Sequence, residues 1–135
     1  MRRCLDTTFL SDLLSGKEDA VAALERWARQ GDQVLMTSIN CYEVGVGIGC
    51  ESPARSRQLS TVWGQITASI DSAALSANAA DVAAQAQTRL LAHGRPAPLA
   101  DLLVAATAFS HGCDCVVTRD VEDFRRIDLL RVESH

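Results

Sequence analysis

The sequence predicts an α/β fold in which a central, mainly parallel sheet of four to five strands lies between helical layers. Three observations predict it. Short apolar runs of strand length alternate along the chain with longer stretches in which apolar residues recur at helical spacing. The strand-length runs lie too far apart for hairpin turns, so neighbouring strands need crossover connections, which helices supply. Finally, 47% of the 135 residues are apolar, enough for a core in a single domain spanning residues 1–135.

The elements follow in order. Residues 2–6 (RRCLD) read as a first strand closing on Asp6. Thr7 or Thr8 caps a helix whose inner face is Phe9, Leu10, Leu13 and Leu14, and Ser15-Gly16 stops it. Val21, Leu24 and Ala28 repeat at helical spacing up to Gly31, a helix-ending residue. Residues 33–37 (QVLMT) form a second strand, and Ser38 caps the next helix, which carries Glu43. The polar segment 51–57, with Pro53, is a loop before a helix marked by Leu59, Val62, Trp63 and Ile66. A weaker third strand falls around residues 69–71. Asn78 caps a helix with Ala79, Val82, Ala83, Ala86 and Leu90 inward, which His93-Gly94-Arg95-Pro96 terminates. Pro98 opens the next helix, with Leu99, Leu102, Leu103, Ala106 and Phe109 as its apolar stripe and His111-Gly112 as its end. Residues 115–117 make the clearest strand, followed by Thr118-Arg119-Asp120, and a last short strand falls near residues 130–132.

Composition removes several classes of function. No 18-residue apolar run exists, so no helix spans a membrane. The opening MRRCLDTTFL lacks the apolar segment of a signal peptide, which places the protein in the cytoplasm. The five cysteines (4, 41, 50, 113 and 115) are odd in number and contain no Cys-x-x-Cys pair, which excludes a disulfide frame or a zinc knuckle. Cys113 and Cys115 are expected on one face of a strand as buried thiols. The net charge of −4 does not announce a nucleic-acid binder, although arginines gather in three groups: Arg2 with Arg3, Arg89 with Arg95, and Arg119 with Arg125 and Arg126.

The candidate chemistry is acidic. In an open α/β sheet, ligands bind beyond the carboxyl ends of the strands. Asp6 ends the first strand, Glu43 lies on the first turns after the second, and Asp120 stands two residues after the last strong strand. Asp101, at the start of its helix, is expected at the same edge. It shares a helix face with Ala97, Ala105 and Ala108. Small neighbours leave room for a ligand beside the carboxylate, and they equally fit a helix packed closely on the sheet. Clustered carboxylates repel one another unless they hold a hard cation, and oxygen-only donors suit Mg²⁺ or Mn²⁺. Such an ion lowers the pKa of a bound water and orients a phosphate. None of the three histidines (93, 111 and 135) stands in a nucleophile-activating arrangement, so metal-assisted phosphodiester hydrolysis fits best. A phosphatase of the haloacid-dehalogenase type needs a second Asp two residues after the first, where Thr8 stands. Gly45, Gly47 and Gly49 fall within a helical block, where they read as small residues for close helix packing rather than a nucleotide loop.

Four blocks resemble the PIN-domain nucleases, and more narrowly the VapC toxins of bacterial toxin–antitoxin pairs. LDTTFLSDLL resembles the opening block, TSINCYEVGVGI the second, GRPAPLADLLVAATAFSHG the third and VVTRDVEDF the fourth. Their order and spacing cover nearly the whole chain. The resemblance implies a three-layer α/β/α PIN-like domain with Asp6, Glu43 and Asp101 as catalytic, metal-binding acids. Asp120 and Asp123 are the candidates for the fourth position, where the family often has Asn. It also implies hydroxyls that support the acids, at Thr7, Ser38 and Thr118. It implies a Mg²⁺-dependent endoribonuclease, with Mn²⁺ as a substitute, acting on tRNA or rRNA to inhibit translation. A homodimer is implied too, and a cognate VapB-type antitoxin whose C-terminal segment covers the active site. The rival expectation is a catalytically inactive PIN domain serving as an RNA- or partner-binding module.

Overall fold

The computed structural model describes residues 1–135. The chain runs β1 (Arg2–Leu5), α1 (Thr7–Leu14), α2 (Glu18–Gln30), β2 (Gln33–Thr37), α3 (Ser38–Gly49), α4 (Pro53–Ser69), β3 (Asp71–Ala73), α5 (Ala77–Ala92), α6 (Leu99–Ser110), β4 (Cys115–Val117), α7 (Val121–Ile127) and β5 (Arg131–Glu133). All five strands are parallel, in the order β3-β2-β1-β4-β5. The chain therefore winds outward from β1 through β2 to β3, then crosses back to β4 on the other side. That reversal puts a topological switch point between β1 and β4, where the connections above two neighbouring strands part and open a crevice.

Alternation along the strands divides the core into two. Cys4, Leu35 and Val116 face a layer made by α5, α6 and α7, while Leu5, Met36 and Val117 face one made by α1 to α4. The three-layer arrangement follows: β4 and the C-terminal parts of β1 and β2 are buried on both faces and mostly apolar, whereas the edge strands β3 and β5 keep polar, partly exposed residues.

Several local expectations shift. Asp6 rather than Thr7 or Thr8 is the N-cap of α1. Thr37 and Ser76 cap α3 and α5 through their side chains, in place of Ser38 and Asn78. On α2 the buried residues are Ala20, Ala23 and Trp27, while Val21 is exposed. On α6 Leu102 and Ala106 are buried as expected, but Leu99 and Phe109 are exposed, and Val104, Ala105 and Ala108 are buried instead. Small side chains bring α6 close to both the sheet and α5, and Leu99 and Phe109 are left at its rim. Cys113 precedes β4 and joins the α5–α7 core with Cys4, whereas Cys115 Sγ lies on the opposite face, 3.7 Å from an Arg3 guanidinium nitrogen. The strand alternation that would have put both thiols on one face begins only at Cys115. Gly45, Gly47 and Gly49 meet nothing where a Cβ would stand, so close packing does not explain them.

Candidate active site

The crevice at the β1–β4 switch point is built around Asp6. The residue is buried at 3% exposure, immediately beyond β1, and its backbone N–H donates to Val117 O on β4 at 3.0 Å. Its carboxylate is held from both sides. Thr118 Oγ1 donates to Oδ2 at 2.7 Å, and Asn40 Nδ2 donates to Oδ1 at 3.3 Å. Thr118 Oγ1 in turn accepts from the Asp120 backbone N–H at 2.9 Å, which ties the start of α7 to the same network.

Asn40 is fully buried on the first turn of α3 and has three partners. Its Oδ1 accepts from Thr37 N at 2.9 Å and from Thr37 Oγ1 at 2.7 Å, and Nδ2 also donates to Thr7 Oγ1 at 3.1 Å. Thr7 Oγ1 donates to Glu43 Oε1 at 2.7 Å. Three strands thus contribute to one hydrogen-bonded chain running from Glu43 through Thr7, Asn40, Asp6 and Thr118 to Asp120. Sequence reasoning missed Asn40; the signal was Thr37-x-x-Asn40, a capping-box spacing at the end of a strand. Ser38 stands outside this chain, with its Oγ accepting from Leu75 N at 3.1 Å.

Asp101 reaches the same edge from the first turn of α6, on the face it shares with buried Ala105 and Ala108, while Ala97, also buried, precedes the helix. Burial first, then the charges of Asp6, Asp123, Asp120 and Glu43, push its carboxyl up to about 7. Every group named there is another acid from the sequence-expected set, so all four lie within electrostatic reach of Asp101. Burial also raises Asp6, helped by Glu43 and Asp120 and opposed by the hydrogen bonds from Thr118 and the Thr7 backbone. Asp123 differs from the others in having a cation beside it, Arg126 Nη2 at 3.0 Å.

This donor set fits a hard divalent cation. It is made of oxygens, its charge is one-signed around Asp101, and its two most perturbed members are destabilised by their own neighbours. The side chains converge without closing: no three Asp, Glu, His or Cys residues are gathered tightly enough to grip an ion as they stand.

The raised Asp101 carboxyl makes the stability of the fold depend on pH. Well below pH 4, Asp101 is protonated in both the folded and the unfolded chain, and its burial carries no charge penalty. As pH rises towards 7, the unfolded chain releases the proton while the folded one keeps it, so folding becomes progressively less favourable. Thermal denaturation of the metal-free protein should therefore show Asp101→Asn gaining on the wild type as pH rises from 5 to 8. Parallel curves for the two proteins would contradict the assignment.

The comparisons agree with this architecture. The family model described as the PIN domain matches residues 3–130. No curated protein matches the chain by sequence. Among solved structures, DNA-bound VapBC from Salmonella typhimurium contains a chain 27% identical, with a TM-score of 0.82 over 99% of this chain and 98% of that one. VapBC2 from Rickettsia felis, bound to a DNA fragment from its promoter, is 20% identical with a TM-score of 0.89 over 100% and 99%. The sarcin-ricin loop cleaving toxin VapC20 from Mycobacterium tuberculosis is 19% identical with a TM-score of 0.58 over 84% and 86%. With the family model spanning all but the two ends, and the acids assembled at the switch point, the chain belongs to the PIN-domain family.

Proposed function

We propose that the chain, residues 1–135 acting as one domain, is a Mg²⁺-dependent endoribonuclease and the toxin of a VapBC pair, cleaving tRNA or rRNA in the cytoplasm. The observation that carries the reading is the convergence of Asp6, Glu43, Asp101, Asp120 and Asp123 on one strand edge, with Asp101 pushed up by burial and then by the charges of the other four. Mg²⁺, or Mn²⁺ in its place, would supply a Lewis acid that lowers the pKa of an attacking water and orients the scissile phosphate. The chain's own part is positional. Thr118 and Asn40 fix the Asp6 carboxylate, and Thr7 fixes Glu43, so the oxygens that would hold the ion are oriented by hydrogen bonds at 2.7 to 3.3 Å. No helix is long and apolar enough to cross a membrane.

The partner reading draws on the neighbours, several of which are toxin–antitoxin complexes. A VapB-type antitoxin would cover the acids and silence them. A second copy of the chain suits the face between α3 and α6, where Tyr42 and Leu99 are 71% and 70% exposed beside Ile39 and Leu103. The exposed glycines of α3 lie on the same helix and leave its backbone open to close approach. Sedimentation equilibrium at micromolar concentration measures that association, and a monomer would sink it.

The purified protein should cut RNA with Mg²⁺ and stop on chelation, and its expression alone should arrest growth until a co-expressed antitoxin restores it. The failure of the acids to close on an ion-sized point favours one second reading, an inactive RNA- or partner-binding module. Binding to RNA without cleavage under any divalent cation would establish that module instead.

Asp120 and Asp123 divide the fourth position between them. Asp120 ends the hydrogen-bonded chain and has no ion-pair partner, while Asp123 is neutralised in part by Arg126. Asp120→Ala should therefore raise the Mg²⁺ concentration needed for half-maximal cleavage, and Asp123→Ala should lower the rate with little change in that midpoint. The reverse pattern in a metal titration would exchange the two roles.

A further inference from the structure

A second polar cleft, about 390 Å³, opens between α1, α2 and the segments that follow β4 and β5. Its size is within the range of ligand pockets, ~300–1,000 Å³. Asp12 organises its cations. Lys17 Nζ lies 2.8 Å from Oδ1, Arg119 Nη1 3.2 Å from Oδ2, and His135 Nδ1 3.5 Å from Oδ2. Asp12 itself is buried, yet Lys17 and Arg119 remain about half exposed, at 54% and 47%. Each has N–H donors beyond those the single carboxylate takes. Arg26 adds a third cation, with its guanidinium 5.9 Å from the Trp27 ring at the cleft wall. Asp19 is the other acid in the lining, so the cleft is net positive on a chain that is net negative.

Arg119 links the cleft to the acids. Arg119 stands between Thr118, which holds Asp6, and Asp120, and its backbone N–H donates to Thr8 Oγ1 at 3.0 Å. A basic cleft one residue from an acidic one suits a polyanion that passes from one to the other, its reacting phosphate at the acids and a flanking one among the cations. The geometry points to a substrate-positioning subsite in which Lys17, Arg26 and Arg119 bind a backbone phosphate of single-stranded RNA flanking the cleaved bond. The subsite rests on the nuclease reading for its substrate, although its charge and position are independent of that reading. Asp12 acts as the positioning residue: it aims the two cations and keeps them from folding onto the nearby catalytic acids.

The test uses a labelled single-stranded oligoribonucleotide and the Lys17→Gln/Arg26→Gln variant, whose changes are at exposed positions on α2 and just before it. Cleavage by the variant should show KM raised about tenfold with kcat within about twofold, since the two exposed cations removed hold a flanking phosphate and do not touch the reacting one. The slope of log(kcat/KM) against log salt should become shallower by ~0.7 for each phosphate that is no longer neutralised. A variant with wild-type KM and slope overturns the subsite. A raised KM with an unchanged slope overturns it too, because a structural disturbance does not remove counterion release. Direct binding of the same oligonucleotide, followed by fluorescence anisotropy without divalent metal, separates the two readings. Wild-type binding that weakens in the variant, without any cleavage, keeps the subsite and removes the nuclease. An absence of RNA binding by the wild type, or capture of an acidic protein segment by the cleft in place of RNA, overturns the subsite.

Discussion

Asp101→Asn should abolish RNA cleavage, by on the order of 10²–10³-fold or more, while leaving the protein folded and more stable at neutral pH. The carboxylate is half-buried among four other acids, and its charge is the one the apo protein tolerates least. An amide keeps its volume, removes one charge from the ring and still offers an oxygen. What is lost is the negative charge that holds a hard cation and the symmetry of the two oxygens. Asp6→Asn should be as inactive but less stable. Both Asp6 oxygens accept hydrogen bonds, from Thr118 and from Asn40, so replacing either oxygen by NH₂ sets a donor against a donor in a buried site. Asp101→Asn is therefore the cleaner experiment. Single-turnover cleavage of an RNA that the wild type cuts, together with thermal denaturation of both variants, measures the two effects. Wild-type cleavage by Asp101→Asn would remove it from the active site.

The acidic edge was legible because strand ends are easy to read and carboxylates are scarce within apolar runs. Gln33–Thr37 has the boundaries the sequence predicts, and Leu5 and Val117 bring Asp6 and Thr118 to the same edge by register. Asp101 was the ambiguous acid, because the alanine face it shares fitted either a ligand or the sheet. In the structure those alanines are buried and the acid sits where that face emerges at the edge, so the two options are compatible. What the sequence concealed lies in choices between chemically equal neighbours. Thr37 and Ser38 are both good caps, as are Ser76 and Asn78, and only the helix axis selects one. On α2, Val21 and Ala28 seemed inward by spacing, yet both are exposed and the helix turns Ala20, Ala23 and Trp27 to the core, where Trp27 packs on Phe9 at 5.4 Å between ring centroids. One large aromatic outweighs several small aliphatics in setting which face is buried. The basic groups also dispersed. Arg3 is buried in ion pairs with Asp32 and Glu133, and Arg126 serves Asp123, whereas Arg119 joins Lys17 and Arg26, which no sequence run connects.

Asn40 is the residue whose loss should cost the fold most within the site. It is fully buried, and both ends of its amide are used. Replacing it by Ala leaves the Thr37 N–H and Oγ1 without their shared acceptor, and removes donors from the Asp6 carboxylate and from Thr7 Oγ1. Each buried group left unpaired costs ~1–3 kcal/mol, and two or more are exposed to that penalty here. Leucine would fill the volume without relieving it. Aspartate separates the structural role from the electrostatic one. It keeps the acceptor for Thr37 but sets a second carboxylate against Asp6 where Asn40 donates, so the pair can be accommodated only by binding a proton or an ion. Asn40→Ala should thus lose stability at every pH. Asn40→Asp should be nearly normal at pH 5 and deficient at pH 8, and Mg²⁺ should restore part of the difference. Chemical denaturation at the two pH values, with and without Mg²⁺, reads all of these outcomes. If Asn40→Asp loses the same stability at both pH values and ignores the metal, Asn40 serves only to cap α3 and has no part in holding Asp6.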